Sequence, residues 1–382
     1  MAEMKTVAFI RTTDIYSDSR ALKEIKALAE AGYRVIILGW NRGGAADDGC
    51  KRVFGEYGDL VQWRLYPCVC GYGLGMRKNI GKMLGWFRWV YSSLKTCPPL
   101  DVVHACDLDA GIPAYRFCKK NKIKLVYDVF DYYVDAHDLP NVLRRWVENQ
   151  EISIINFAEA TLICTEERRV QIAKASPKEV AVLHNSPEVP EIEETAEKID
   201  YAYCGQFIGM RLISEMFDLY EKNSDLKLTF AGAGVYAERA RSLSEQHDNF
   251  SYLGSIPYTE VLKLESQARV LAAIYAPSLR NHQLCAPNKF YEGLALAKPL
   301  IVCRGTGIDR IVEENNIGIV IDYSAESFYE ALRTLCADEK LRHEMGVRAR
   351  RLYEEKYNWQ IMKERLLAIY ENRIFGSVSE QA

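Results

Sequence analysis

The chain has no apolar run approaching the roughly 18 residues that a membrane-spanning helix requires. Its first 13 residues also lack the basic segment and apolar core of a secretory leader. Both absences lead to the expectation of a cytoplasmic protein. Cysteine pairs are missing too: the 11 cysteines, an odd number, include no Cys-x-x-Cys, and the 6 histidines show no zinc-finger spacing. Cys68-Val-Cys70 is the nearest approach to a cluster, so the reading is reduced, mostly buried thiols and no metal. Charge of one sign is not in excess, since 49 Lys+Arg against 52 Asp+Glu leave −3. That balance excludes a nucleic-acid-binding footprint.

What is present is a globular composition, 48% hydrophobic and 26% charged, in a chain too long for one core. Charge is unevenly spread. Residues 1–186 carry 26 Lys+Arg and 22 Asp+Glu (+4), residues 187–200 one Lys and six acids (−5), and residues 201–382 carry 22 and 24 (−2). The acidic middle segment, punctuated by Pro187 and Pro190, reads as a solvated linker over 187–199. On either side, short apolar runs alternate with helical periodicity. Strands are predicted at 6–11, 34–39, 101–105, 124–128, 160–164 and 180–185, then at 199–202, 227–231, 250–253, 270–275, 299–303 and 317–321. The fold class is α/β, with two Rossmann-like doubly wound domains over 1–186 and 200–359. An amphipathic segment over 360–376, apolar at Ile361, Met362, Leu366, Leu367 and Ile369, is expected to pack back on the first domain.

Ligands of such sheets sit at the carboxyl ends of the strands, which selects the loops beginning at Cys204, Gly232 and Pro277. The stretch 286–299 stands beside them. Asn288, Lys289 and Glu292 open an alanine- and leucine-rich helix that Pro299 ends before an apolar strand. Backbone N–H groups and a lysine there can hold phosphates, and a carboxylate can accept both hydrogens of a ribose diol. Lys289 and Glu292 are also an ordinary i,i+3 surface pair by spacing alone.

The ordered set of Asp18-x-Arg20, Glu24, Val103-His-Ala-x-Asp107, Tyr127-Asp128, His184-Asn-x-Pro187, Gly232-x-Gly234, Leu253-Gly254, Glu292 with Pro299, Thr306-Gly307 and Tyr357-Asn-Trp359 resembles the retaining family 4 glycosyltransferases of GT-B fold. The resemblance covers nearly the whole chain. It implies two halves facing a central cleft, the first binding an acceptor and the second a nucleotide-sugar donor, as substrate and with no cofactor. Glu292 matches the second glutamate of the family's pair and so is expected to bind the donor ribose. The first glutamate falls on Leu284, a departure. An Arg and a Lys five residues apart are replaced by Gln206 and Arg211. By the resemblance, Arg211 and Lys289 neutralise the departing diphosphate without a metal. Asn288, Gly205, Gln206, Gly232, Gly234, Thr306 and Gly307 complete the donor contacts. In the first half Phe130 stands where the family has a histidine, and Asp131 keeps an acid near the site. Asp131 or Asp18 would be the base if the reaction inverts, and a helix cap is the structural alternative for Asp131. Asp107-Leu-Asp109 reads as a loop feature.

Between Gly71 and Pro99 lie Arg77, Lys78, Lys82, Arg88 and Lys95 with no acid. As a helix this stretch puts Ile80, Met83, Leu84, Phe87, Tyr91 and Leu94 toward the core and Trp86 and Trp89 outward, so residues 77–95 are expected to dock peripherally on an anionic inner leaflet. A polyprenyl-linked or other glycan acceptor would be met there. The expected activity is a glycosyl transfer in cell-surface polysaccharide or glycoconjugate synthesis. The alternatives are a GT-B nucleotide-sugar epimerase and a catalytically silent nucleotide-sugar-binding subunit, the latter suggested by Leu284, Gln206 and Phe130.

Overall fold

The computed structural model describes residues 4–13, 15, 18–41, 53–68, 76–189, 191, 195–223 and 225–376, with backbone alone for 76–80. Two compact units divide the chain: residues 1–183 with 363–382, and residues 184–362. The first holds a seven-stranded parallel sheet, β1 (Thr6–Arg11), β2 (Arg34–Trp40), β3 (Val61–Tyr66), β4 (Val102–Cys106), β5 (Lys124–Val129), β6 (Ala160–Ile163) and β7 (Val180–Val182), ordered β3-β2-β1-β4-β5-β6-β7. The second holds a six-stranded parallel sheet, β8 (Ile199–Cys204), β9 (Leu228–Ala231), β10 (Phe250–Tyr252), β11 (Ala268–Ala273), β12 (Leu300–Cys303) and β13 (Gly318–Ile321), ordered β10-β9-β8-β11-β12-β13. Both repeat the doubly wound 3-2-1-4-5-6 pattern, whose order reverses between β1 and β4 and between β8 and β11.

Parallel sheets need helices on both faces, so their strands are continuous apolar runs. Val7 to Ile10 and Val35 to Leu38 are fully buried. Register fixes the pairs Val7 with Val35 and Val102, and Tyr201 with Leu228. The first helix, Ser19–Glu30, is capped by the Asp18 carboxylate, which accepts from the Ala21 amide at 3.1 Å. Asp18 is thereby a cap and a partner of Arg11, at 2.7 Å, and not a free base.

The helix Met76–Lys95 is turned differently from the expectation. Trp86 is 0% exposed, its indole stacks on Trp40 and Trp89 at 5.5 Å each, and its Nε1 donates to the Asp109 carbonyl at 3.0 Å. Trp40 ends β2 and Tyr66 ends β3, and together they offer an aromatic floor that two indoles cover with more apolar area than leucine would. Gly85 lets this happen, because a Cβ there would stand 2.3 Å from the Tyr66 hydroxyl. Leu84, Arg88 and Lys95 face outward instead. The tryptophan pair is therefore not a headgroup anchor. The side chains of Arg77, Lys78 and Ile80 lie outside the described residues. Among the described residues no helix is long and apolar enough to cross a membrane.

The chain returns to the first unit at Lys363 within the helix Trp359–Ala368. Leu366, Tyr370 and Ile374 are buried, and the Tyr370 hydroxyl lies 2.9 Å from His104 Nδ1 on β4.

Candidate functional site

In the second unit, two loops at the carboxyl ends of neighbouring strands are laced together by their backbones. Gly205 N–H donates to the Ala231 carbonyl at 2.9 Å, Phe207 N–H to Ala233 at 2.8 Å, and Val235 N–H back to Phe207 at 3.0 Å. Side chains would block this approach. A Cβ on Gly232 (φ +141°) would stand 1.8 Å from the Gly205 carbonyl oxygen, and one on Gly234 (φ +148°) 2.3 Å from that of Phe207. Gly307 (φ +81°) leaves similar room for the Gln283 carbonyl, at 2.9 Å. These glycines build the rim, on which Gly205, Gln206 and Gly234 are exposed. Thr306, expected among the ligand contacts, is turned inward. Its buried hydroxyl donates to the Cys303 carbonyl at 2.6 Å, because a loop this tight needs its own internal partner.

Arg211 follows β8 at the end of the short turn Gly209–Arg211, and its guanidinium lies 3.3 Å from the centre of the Tyr275 ring. Among the described residues its buried Nη1 has no hydrogen-bond partner. A buried guanidinium N–H without an acceptor is costly, and an anionic ligand removes the cost. The Tyr203 hydroxyl donates to the Gln206 carbonyl at 2.8 Å. Burial raises its pKa, while the charges of Arg211 and Lys289 both act to lower it, so both cations lie in its neighbourhood.

Lys289 lies between two carboxylates, 2.7 Å from Glu265 Oε1 and 2.6 Å from Glu292 Oε2. Glu292 is 1% exposed and the lysine side chain 15%. The expectation set Glu292 on a ribose and Lys289 on a diphosphate, whereas here each satisfies the other. Asn288, the first residue of the helix Asn288–Ala295, is exposed beside them. Burial opposes the charge of Lys289, but Glu265 and Glu292 outweigh it and raise its pKa. Burial, then the Glu292 charge, push the Glu265 carboxyl up to about 8 against the pull of Lys289. Among the described residues Glu292 Oε1 and Glu265 Oε2 have no hydrogen bond of good geometry, though Tyr258 stands near Glu292 and Cys204 near Glu265. Glu265, at the end of the helix Tyr258–Ser266, is the site member that reading the sequence missed. Its signal was an acid at the negative end of a helix, where only a nearby cation stabilises it.

In the first unit, Asp131 is 53% exposed and pairs with Arg168 at 3.2 Å. It caps no helix. The loop is held by Asp107, at φ +63°, whose Oδ1 accepts from the amides of Phe130 (2.8 Å) and Asp131 (3.1 Å) and whose Oδ2 binds Arg11. Asp107 is thus an organising residue. Phe130 is flanked by the guanidinium groups of Arg11 at 4.1 Å and Arg20 at 4.4 Å. Beneath it Arg20 binds both oxygens of Asp128, at 2.7 and 2.9 Å, together with Glu24 at 2.9 Å and the Leu183 carbonyl at 2.9 Å. His104, Cys106 and Asp128 bring donor atoms within 4.8 Å of one another. They do not suit a metal, since Arg20 already occupies both Asp128 oxygens.

The family described as Glycosyl transferases group 1 matches residues 191–352. No curated protein sequence matches the chain. Among solved structures, sucrose-phosphate synthase from Thermosynechococcus elongatus superposes with a TM-score of 0.72 at 12% identity, covering 98% of this chain and 100% of that one. HepE from Anabaena, solved with UDP-glucose, gives 0.68 at 11% identity over 95% and 98%. WaaG, a glycosyltransferase involved in lipopolysaccharide biosynthesis, gives 0.60 at 15% identity over 95% and 99%. At such identities the likeness establishes the fold, which is GT-B.

Proposed function

We propose that the chain, whose residues 191–352 match the family described as Glycosyl transferases group 1 and whose fold is GT-B, moves a sugar from a nucleotide-sugar to a glycan or lipid-linked glycan, in cell-surface polysaccharide or glycoconjugate synthesis. The observation that carries this reading is the convergence of Arg211, with its unpartnered Nη1, and the Lys289–Glu292 pair at the carboxyl ends of the second sheet. The donor diphosphate lies against Arg211 and the amides that open the helix at Asn288. It draws Lys289 off one carboxylate, which frees Glu292 Oε2 for the ribose diol. Two cations then neutralise the charge that develops on the leaving group, so transfer needs no metal. The departing phosphate oxygen takes the acceptor proton and the anomeric configuration is retained. On this route Asp131 contacts the acceptor and has no proton to remove.

The test is product analysis with UDP-, GDP- and ADP-sugars, with and without lipid-linked glycan acceptors. UDP-sugars come first, since HepE binds UDP-glucose. A new glycoside formed only with acceptor, with the donor's configuration kept, supports the proposal. Isomerised donor without acceptor identifies an epimerase, and binding without any product a silent subunit. Glu292→Ala is expected to abolish the donor-induced rise in melting temperature.

A further inference from the structure

A cavity of about 610 Å³ opens in the second unit at the opposite end of its strands from the loops described above. Its wall includes Glu197 before β8, Ser266 before β11, and Lys298 and Pro299 before β12, closed on one side by the helix Glu339–Leu352. That helix meets the backbone directly. Ala297 is held at φ +54°, and a Cβ on Gly346 would stand 2.2 Å from its carbonyl oxygen. The floor is therefore fixed by backbone contact.

The buried charges of this cavity do not balance, because the further acid of its wall, Glu339, is exposed to solvent. Lys298 is 9% exposed and Arg342 7%, and they share one carboxylate, Glu197, at 3.5 and 3.0 Å. Arg269 also approaches Glu197, at 3.9 Å, but has Asp200 at 2.7 Å. Arg350 and Arg351 are matched by Glu354 and Glu355 at 2.7 Å each. Arg342 gives Nη1 to the carbonyls of Leu335 and Cys336 and Nη2 to Glu197, and among the described residues its buried Nε has no acceptor. Lys298 has protons to spare. Burial, and then the Arg342 charge, lower the Lys298 pKa against the pull of Glu197. Two nearly buried cations on one shared acid leave a positive surplus in a place where charge is costly unless paired. The adverse dipole at the end of the helix Asn288–Ala295 is met by Arg350, which donates to the Ala295 carbonyl at 2.7 Å. Leu296, Pro299 and Val347 supply an apolar side.

We infer that this cavity is a second ligand site of the protein, taking a small organic anion whose phosphate or carboxylate group is held between Lys298 and Arg342 while its apolar part lies on Leu296, Pro299 and Val347. Glu197 occupies part of the cationic site in the unliganded protein and competes with the ligand. One helix, Asn288–Ala295, joins this site to the donor site, with Lys289 and Glu292 near its start and the cavity floor directly after its end.

The experiment measures the melting temperature of the full chain in inorganic phosphate, acetate and chloride at matched ionic strength, followed by calorimetry with the better oxyanion. A saturable rise above the chloride value is expected, with the ranking of phosphate and acetate identifying the anionic group. It should vanish in Lys298→Gln and persist in Arg211→Gln, which disables the other anion site. Glu197→Gln removes the competitor and should tighten binding by roughly tenfold, a change that loss of a merely structural ion pair would not produce. No rise beyond chloride, a rise that survives Lys298→Gln or disappears in Arg211→Gln, or an unimproved affinity in Glu197→Gln would each overturn the inference.

Discussion

Each unit buries a cluster of one basic residue with two acids, and the two clusters are finished differently. In the first, Arg20 uses its planar fork to bind Asp128 bidentately, Glu24 and a carbonyl, and His104 and Tyr370 close the remaining side. Burial opposes Asp128 ionisation, but Arg20 and His104 prevail and lower its pKa; burial and Asp128 together raise that of Glu24. In the second cluster a flexible lysine, partly exposed, stands between Glu265 and Glu292. The arginine cluster is a closed lock that holds β4, β5 and the first helix: its cation is only 6% exposed, although among the described residues Glu24 Oε2 and His104 Nε2 find no hydrogen-bond partner there either. The lysine cluster is the more open one, its cation 15% exposed, and an accessible cation on a flexible stem is what a ligand can use.

If that contrast holds, its largest consequence is in stability. Arg20→Met leaves Asp128 charged and unpaired in a dry interior and should cost about 3–5 kcal/mol in urea unfolding, whereas Arg211→Gln, which breaks no ion pair, should cost less than about 1 kcal/mol. Equal losses would erase the distinction. Next comes Gly232→Ala, with a positive φ and no space for a Cβ. It should destabilise by about 1–3 kcal/mol and remove donor binding, read as a lost donor-induced shift in melting temperature. The smallest effect is on pH dependence. Glu265 and Glu151 are both pushed up to about 8, chiefly by burial. A carboxyl raised in the folded state contributes stability that is complete below its unfolded pKa and is lost as pH rises through the folded value. Stability should therefore decline between about pH 4.5 and pH 8. Glu265→Gln and Glu151→Gln should each flatten part of that decline in urea midpoints across the range.

Much of the fold was legible because parallel strands buried on both faces leave unbroken apolar runs, as at Thr6–Arg11 and Leu300–Cys303. β3 escaped notice. An edge strand, Val61–Tyr66 is half-buried and alternates Gln62 and Arg64 with Trp63 and Leu65, so it lacks that run. Helical periodicity found the 76–95 helix but not its rotation, which Trp40 and Tyr66 decide from other strands. At the site, Lys289 and Glu292 are legible in local pattern and Arg211 through the family resemblance, but pairing across helices is not local. Glu265 lies 24 residues before Lys289, and nothing in that spacing announces a contact. Thr306 shows the opposite failure, a polar loop residue whose hydroxyl the loop itself consumes.

The most direct measurement of the central claim is calorimetric titration of Arg211→Gln with the nucleotide-sugar that binds the wild-type protein most tightly. The account predicts affinity reduced by roughly 30-fold or more, from loss of a charge-assisted contact, with the melting temperature of the free protein nearly unchanged. Undiminished affinity in a folded variant would mean that the diphosphate is held elsewhere.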